Sequence, residues 1–199
     1  MANMEKMIPH ILIWEVGQTK EEIKTKAWDK LTPRQIYDRV KLRGFHNIPG
    51  DRGKHTMCGV TFRTFTDWRT RHGKPKPTIA NLKAVQYDEW LAILKELFWD
   101  PCKADLIHNQ SIAEMLVDWR WVNGGQAVRD AQTVLVCVPD GVVGPKTLAA
   151  LNDGDSLSVF NRLKGARERA YRTIVSRNPG QEKFLKGWLN RTDSIEFRL

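Results

Sequence analysis

Apolar residues recur at helical spacing through most of this chain, and the pattern breaks clearly at one stretch. After Ser111, Ile112, Met115, Leu116 and Trp119 fall at i, i+3, i+4 and i+7 before Asn123-Gly124-Gly125 closes the run. Residues 88–99 carry Trp90, Leu91, Leu94, Leu97 and Phe98 in the same way. A first helix is expected over Met4–Val16, with Met7, Ile8, Ile11, Leu12 and Trp14 on one broad face and Gly17 as its stop. Thr32-Pro33-Arg34-Gln35 is a capping signature, with Thr at N-cap, Pro at N1 and Gln at N3, so 18–44 reads as further helix. Helices are also expected near 127–135, after Pro145, over 156–176 and over 182–189. The exception is 47–62, where dense Gly, Pro and Asp give way to short alternation, the mark of a turn and a small hairpin. The expected fold is mostly α with one small β-hairpin.

At 199 residues the chain is long enough to bury a proper core. Its formal charge of +9 favours an anionic partner: nucleic acid, an acidic membrane surface or bacterial cell wall. Between Arg162 and Arg198 ten Lys or Arg face four acids, which reads either as a solvated helix face or as the basic surface itself. Cys58, Cys102 and Cys137 lie far apart, and neither Cys nor His falls at metal-ligand spacing. Neither disulfides, a metal nor a cofactor is therefore expected. The first residues lack a signal-peptide pattern, and the apolar runs 11–14 and 134–138 are too short to span a bilayer. The expectation is a monomer without integral membrane association.

Two strings carry candidate chemistry. Ile11-Leu12-Ile13-Trp14-Glu15 sets a carboxyl at the end of an apolar helix, where desolvation disfavours its charged form. Asp51-Arg52-Gly53-Lys54-His55-Thr56 sets a second carboxyl and a threonine on a glycine turn leading into a strand. Glycosidic hydrolysis uses such a set, one acid kept protonated and a second group that stays ionised or orients water. Each residue also has an ordinary reading. Glu15 is equally an exposed helix-end glutamate beside Lys20 and Lys24, Asp51 a turn aspartate, and Thr56 a strand residue. Trp68, Trp99, Trp121 and Trp188 read as sugar-stacking or core aromatics.

Taken in order, these strings resemble the glycoside hydrolase 108 family of bacterial and phage N-acetylmuramidases, often named secretion activator proteins. Glu15-Val16-Gly17-Gln18 stands where the family has Glu-Gly-Gly-Tyr, and Asp51 to Thr61 where it has Asp-x-Gly-Gly-x-Thr-x-x-Gly-Ile-Thr. Phe98-Trp99-Asp100 is similar to its Tyr-Trp-Asp, and Asp118 to Gly125 to its Asp-x-x-x-Asn-x-Gly region. Asp140-Gly141-Val142-Val143-Gly144-Pro145-Lys146-Thr147 is similar to a turn of small peptidoglycan-binding modules; Arg167, Tyr171 and 184–191 resemble the closing motif. The chain departs from the family in two places. The Glu-Gly-Gly-Tyr string has lost its second residue and its aromatic, and about twenty-seven extra residues separate Glu15 from Asp51. Asp29 and Asp38, inside that insertion, lack the Gly-x-x-Thr turn that follows Asp51.

The resemblance implies a lysozyme-like muramidase fold, with a catalytic lobe over 1–122, a helical insertion at 18–46, and a peptidoglycan-binding-like lobe over 123–199 packed into the same unit. It implies Glu15 as general acid, Asp51 as ionised partner and Thr56 as holder of water or sugar. Asp118 and Asn123 would line the sugar groove, although Asn123 also stands where a helix C-cap is needed. The implied partner is the peptidoglycan glycan strand, reached after holin-type or atypical export, in an endolysin or secretion activator. The departures fit a second reading, a wall-binding protein that has lost turnover. A basic nucleic-acid binder is a third, supported by charge alone, and no nucleic-acid partner is expected.

Overall fold

In the computed structural model, which describes residues 1–47 and 55–199, α1 spans Met4–Val16 with Met7, Ile8, Ile11 and Leu12 buried. Gly17, at φ +80°, ends it, as an L-residue rarely adopts that conformation. The chain divides into two compact units, residues 5–95 and residues 1–4 with 96–199.

In the first unit, the extra residues after Gly17 form two short helices, each opened by a capping box. Before α2 (Lys20–Lys24), Thr19 Oγ1 accepts from the Glu22 N–H at 3.2 Å and Glu22 Oε2 accepts from the Thr19 N–H at 2.8 Å. Thr32 and Gln35 repeat the exchange before α3 (Pro33–Val40), as the capping signature predicts. Helices this short are marginal alone, and side chains from elsewhere hold them. Tyr37 of α3 is fully buried, donates to the Val85 carbonyl at 3.0 Å, and lies 5.3 Å from the Trp90 ring. Glu22 is 3% exposed and accepts from Arg39 Nε at 2.7 Å and Arg43 Nη2 at 2.6 Å. Arg43 Nη2 also donates to the Gly17 carbonyl at 3.2 Å, tying the inserted helices to the end of α1.

The expected hairpin is part of a three-stranded antiparallel sheet. Its strands β1 (Phe45–Asn47), β2 (His55–Met57) and β3 (Val60–Thr61) lie in the order β1-β2-β3. Thr56 pairs with His46 on one side and Thr61 on the other. The helical insertion thus stops one turn after α3, and Phe45 and His46 are strand residues. Thr61 then caps α4 (Phe62–Arg71), accepting from the Thr64 N–H at 3.0 Å. Next come α5 (Ile79–Lys83) and α6 (Tyr87–Leu94), which passes into a π-helical turn over Lys95–Trp99.

The second unit is built on α7 (Gln110–Asn123), whose residues from Ser111 to Trp119 are all buried. Helices α8 (Gly125–Val134) and α10 (Ser156–Arg177) pack against it; α9 (Pro145–Asn152) and α11 (Glu182–Asp193) pack against α10. The expected Ser111 cap is corrected. Asn109 is the N-cap, accepting from the N–H groups of Ser111 and Ile112 at 2.9 and 3.1 Å, while buried Ser111 Oγ accepts the Arg198 N–H at 2.9 Å. The C-terminal tail claims the hydroxyl that would have capped the helix.

Candidate active site

Glu15 lies in the last turn of α1, half-buried, against the turn between β2 and β3. The fit there is close. A Cβ at Gly59 would stand 2.6 Å from Glu15 Cδ and 2.7 Å from its Cγ and Oε2, so the carboxyl occupies space that only a glycine leaves open. Cys58 and Gly59 both have positive φ, +45° and +82°, the mirror-type conformation of a two-residue hairpin.

That turn is held from two sides. The Cys58 N–H donates to the Gly44 carbonyl at 2.8 Å, and the Cys58 carbonyl accepts from Trp90 Nε1 at 3.0 Å. A Cβ at Gly44 would collide with Cys58 Sγ, which makes Gly44 a second enforced glycine. Burial pushes the Cys58 thiol up to about 12, and the neighbouring Glu15 carboxylate adds to the shift. Cys58 is therefore an uncharged packing group and not a nucleophile.

Thr56 lies in β2, two residues before this turn, half-buried between His46 and Thr61. Opposed residues in an antiparallel pair share a face, so these three side chains stand together. The Thr61 hydroxyl is engaged with Thr64, whereas the Thr56 hydroxyl forms no hydrogen bond among the described residues. Glu15 and Thr56 thus approach the same hairpin from different elements. Asp51 lies outside the described residues. Of the alternative carboxyls, Asp38 is paired with Lys41 at 3.1 Å and Asp29 is exposed on the surface.

In the second unit the structure corrects the place of Asp118. It is fully buried and cannot line a sugar groove. Arg167 Nη2 donates to its Oδ2 at 2.6 Å, and Arg191 grips both carboxylate oxygens through Nε and Nη2 at 2.7–3.1 Å. Arg167 Nε also donates to the Tyr171 hydroxyl at 2.9 Å. Strings far apart in the chain prove to be one buried network. Asn123, the last residue of α7, lines a groove between α8 and α10, and its Oδ1 is shielded from solvent without a partner among the described residues. The string from Asp140 to Thr147 is consumed by its own turn. Gln132 Nε2 donates to Asp140 Oδ1, the Val142 carbonyl and Thr147 Oγ1 at 2.8, 2.9 and 3.2 Å, while its Oε1 accepts the Gly141 N–H at 2.8 Å. The Val142 N–H and this amide hold the Asp140 carboxyl below its usual range.

Residues 43–125 match the family model for Glycosyl hydrolase 108, and residues 126–193 match the one described as Predicted Peptidoglycan domain. Residues 43–125 of the chain thus carry a glycosyl hydrolase 108 domain. The solved structure of Brucella abortus SagA shares 25% identity with this chain, at a TM-score of 0.60 over 76% of it and 86% of SagA. No curated protein matches it. The fold is therefore mostly α and lysozyme-like, and the two domains give the chain a peptidoglycan-related role.

The match to the family 108 domain begins at Arg43. It includes Thr56, the Gly59 turn and Asn123, and leaves Glu15 before it. The seat made by Gly59 was not read from the sequence, since a glycine there declares freedom and not the group that approaches it. The Glu22 cluster did have a signal, the Thr19-x-x-Glu22 capping box beside an arginine-bearing helix. Trp68 and Trp99 are core residues at 4% and 1% exposure. Among the described residues no helix is long and apolar enough to cross a membrane, and no cluster of three or more His, Cys, Asp or Glu is placed to hold a metal.

Proposed function

We propose that this chain is an N-acetylmuramidase that cleaves the glycan strand of peptidoglycan with Glu15 as general acid. The observation that carries the reading is the seat of Glu15. A carboxyl at the end of an apolar helix is enclosed by a turn whose glycine has no room for a side chain, two residues from the strand bearing Thr56. In the reaction Glu15 gives its proton to the leaving glycosidic oxygen while the bond to the anomeric carbon breaks. A water held by Thr56 adds to that carbon and passes its proton to a second carboxylate, for which Asp51 is the candidate. The products are a new reducing end and a freed hydroxyl. Asn123, at the end of α7, is the candidate for a substrate contact in the second unit. An endolysin released through a holin pore and a secretion activator exported atypically are the two settings for such an enzyme.

The test is reducing-end release from purified peptidoglycan by the unaltered chain and by Glu15→Gln. Removing a general acid typically costs about 100- to 10,000-fold, so activity should collapse in a variant that remains folded. Equal rates in the two proteins would refute the assignment. The second reading, a wall-binding protein without turnover, is favoured by one observation: the family match starts downstream of Glu15. That reading requires both proteins to be inactive while both still sediment with sacculi.

A further inference from the structure

We infer that the groove between α8 and α10 holds the peptide stem of peptidoglycan, with Arg169 and Arg177 taking its carboxylates. The inference rests on the wall-directed reading above and gives that reading a ligand surface. The groove measures about 520 Å³. Its floor is apolar, with Val134, Ala166, Ala170 and Ile174, and Arg169 and Arg177 rise from α10 along one side. Asp130 stands on α8, its carboxylate accepting from Gln126 Nε2 at 2.8 Å.

The two arginines are exposed, and neither forms an ion pair with a described carboxylate. In the same unit Arg167, Arg191, Arg198 and Lys164 are matched to acids, whereas Arg169 and Arg177 border the groove. The groove thus carries two basic side chains of the chain's positive excess. Its chemistry, guanidinium groups on one helix and a carboxylate on the other, complements a peptide that carries several carboxylates and the ammonium of a diamino acid. A bare glycan offers no ammonium, and only the single lactyl carboxylate of each muramic acid. Size agrees as well. Arg177 follows Arg169 by eight residues, roughly 12 Å along the helix axis, a span covered by about four extended residues at 3.3 Å each. Asn123 also lines this groove.

The experiment measures binding to sacculi in the Glu15→Gln background, so that the wall stays intact. Three full-length proteins are compared: that parent, the parent with Arg169→Ala and Arg177→Ala, and the parent with both arginines changed to lysine. Each is mixed with intact sacculi and with sacculi whose stems have been removed by an amidase. The soluble pentapeptide alanyl-isoglutamyl-diaminopimelyl-alanyl-alanine serves as competitor. The parent should bind intact sacculi at least about tenfold more tightly than stripped glycan, since charge-assisted bonds are the strong ones. The pentapeptide should displace it, the alanine variant should lose that margin, and the lysine variant should recover part of it. Melting curves identify any variant that fails to fold, and the lysine variant then decides in place of the alanine one. Equal binding to intact and stripped walls, no displacement by the pentapeptide, or undiminished binding by a folded alanine variant would overturn the inference. Reducing-end release by the unaltered chain reports the hydrolase reading separately, so either proposal can fail while the other stands.

Discussion

Gly59→Ala separates the seating of Glu15 from the stability of the fold. A methyl at this position would lie 2.6 Å from Glu15 Cδ and 2.7 Å from Cγ and Oε2. Non-bonded carbons settle at about 3.5–4.0 Å, so one group must withdraw by about 1 Å. The group free to move is the carboxyl end of a flexible side chain, and its displacement costs little energy. The backbone adds its own penalty, because φ at this residue is +82° and an L-residue in the left-handed region costs roughly 1–2 kcal/mol. For a chain of this length that lowers the melting temperature by about 2–8 °C. Activity should suffer far more, since a misplacement of about 1 Å costs on the order of 100-fold. The assay is the initial rate of reducing-end release, measured beside Gly73→Ala. Gly73 has φ +62° and nothing within 4 Å of a new Cβ, so it carries the same backbone penalty without touching Glu15. A folded Gly59→Ala protein within a small factor of the parent rate would refute the claim that Glu15 acts from this seat.

Three further outcomes are expected. Burial works against the charged form of Glu22, but the Thr19 N–H, Arg39 and Arg43 outweigh it and bring its pKa from 4.5 to about 2. The resulting stability is fully present above about pH 4.5 and is lost as the pH falls toward 2. Because Arg39 and Arg43 are partly solvated, it amounts to about 2 kcal/mol; acid titration of the urea midpoint reads it, and Glu22→Gln should flatten that slope. Asp118→Ala leaves Arg167 buried without its carboxylate and should cost about 3–5 kcal/mol in denaturant unfolding, enough to make the protein hard to recover folded. Gln132→Leu removes the bonds that close the turn from Asp140 to Thr147 and should lower stability by about 2–3 kcal/mol in the same assay; an unchanged midpoint would show that the turn closes without it.

The local signals in the chain were strong where one element carries its own instructions. Helix α1 runs over Met4–Val16 as its apolar face and Gly17 predict, and Thr32 opens α3 through the expected box. Helices α4 and α5 lack a clear periodic signal because their buried positions are few: Phe65 and Trp68 in one, Leu82 in the other. Strand β1 falls where the sequence predicts the tail of the inserted helices, since three residues hold an extended conformation only through their pairing with β2. Ser111 and Asn109 are both good caps by type, and a tail almost ninety residues away decides between them.

The candidate acid was legible for the same reason as its helix: an apolar run ending in a lone glutamate is a local arrangement. Its seat was not, because Gly59 comes against Glu15 only once α1 and the hairpin are both in place. Asp118 shows the same division. On its helix it reads as a polar residue near a groove, yet its partners stand 49 and 73 residues further on. By itself the sequence determined most of the helices, the hairpin and a short set of chemically able residues, because helical period, capping and turn preference act within a few residues. Only the tertiary structure decided which carboxylate is enclosed, which is buried against arginines and which arginines remain open. Those outcomes depend on side chains brought together from distant positions, and neither period nor propensity records that proximity.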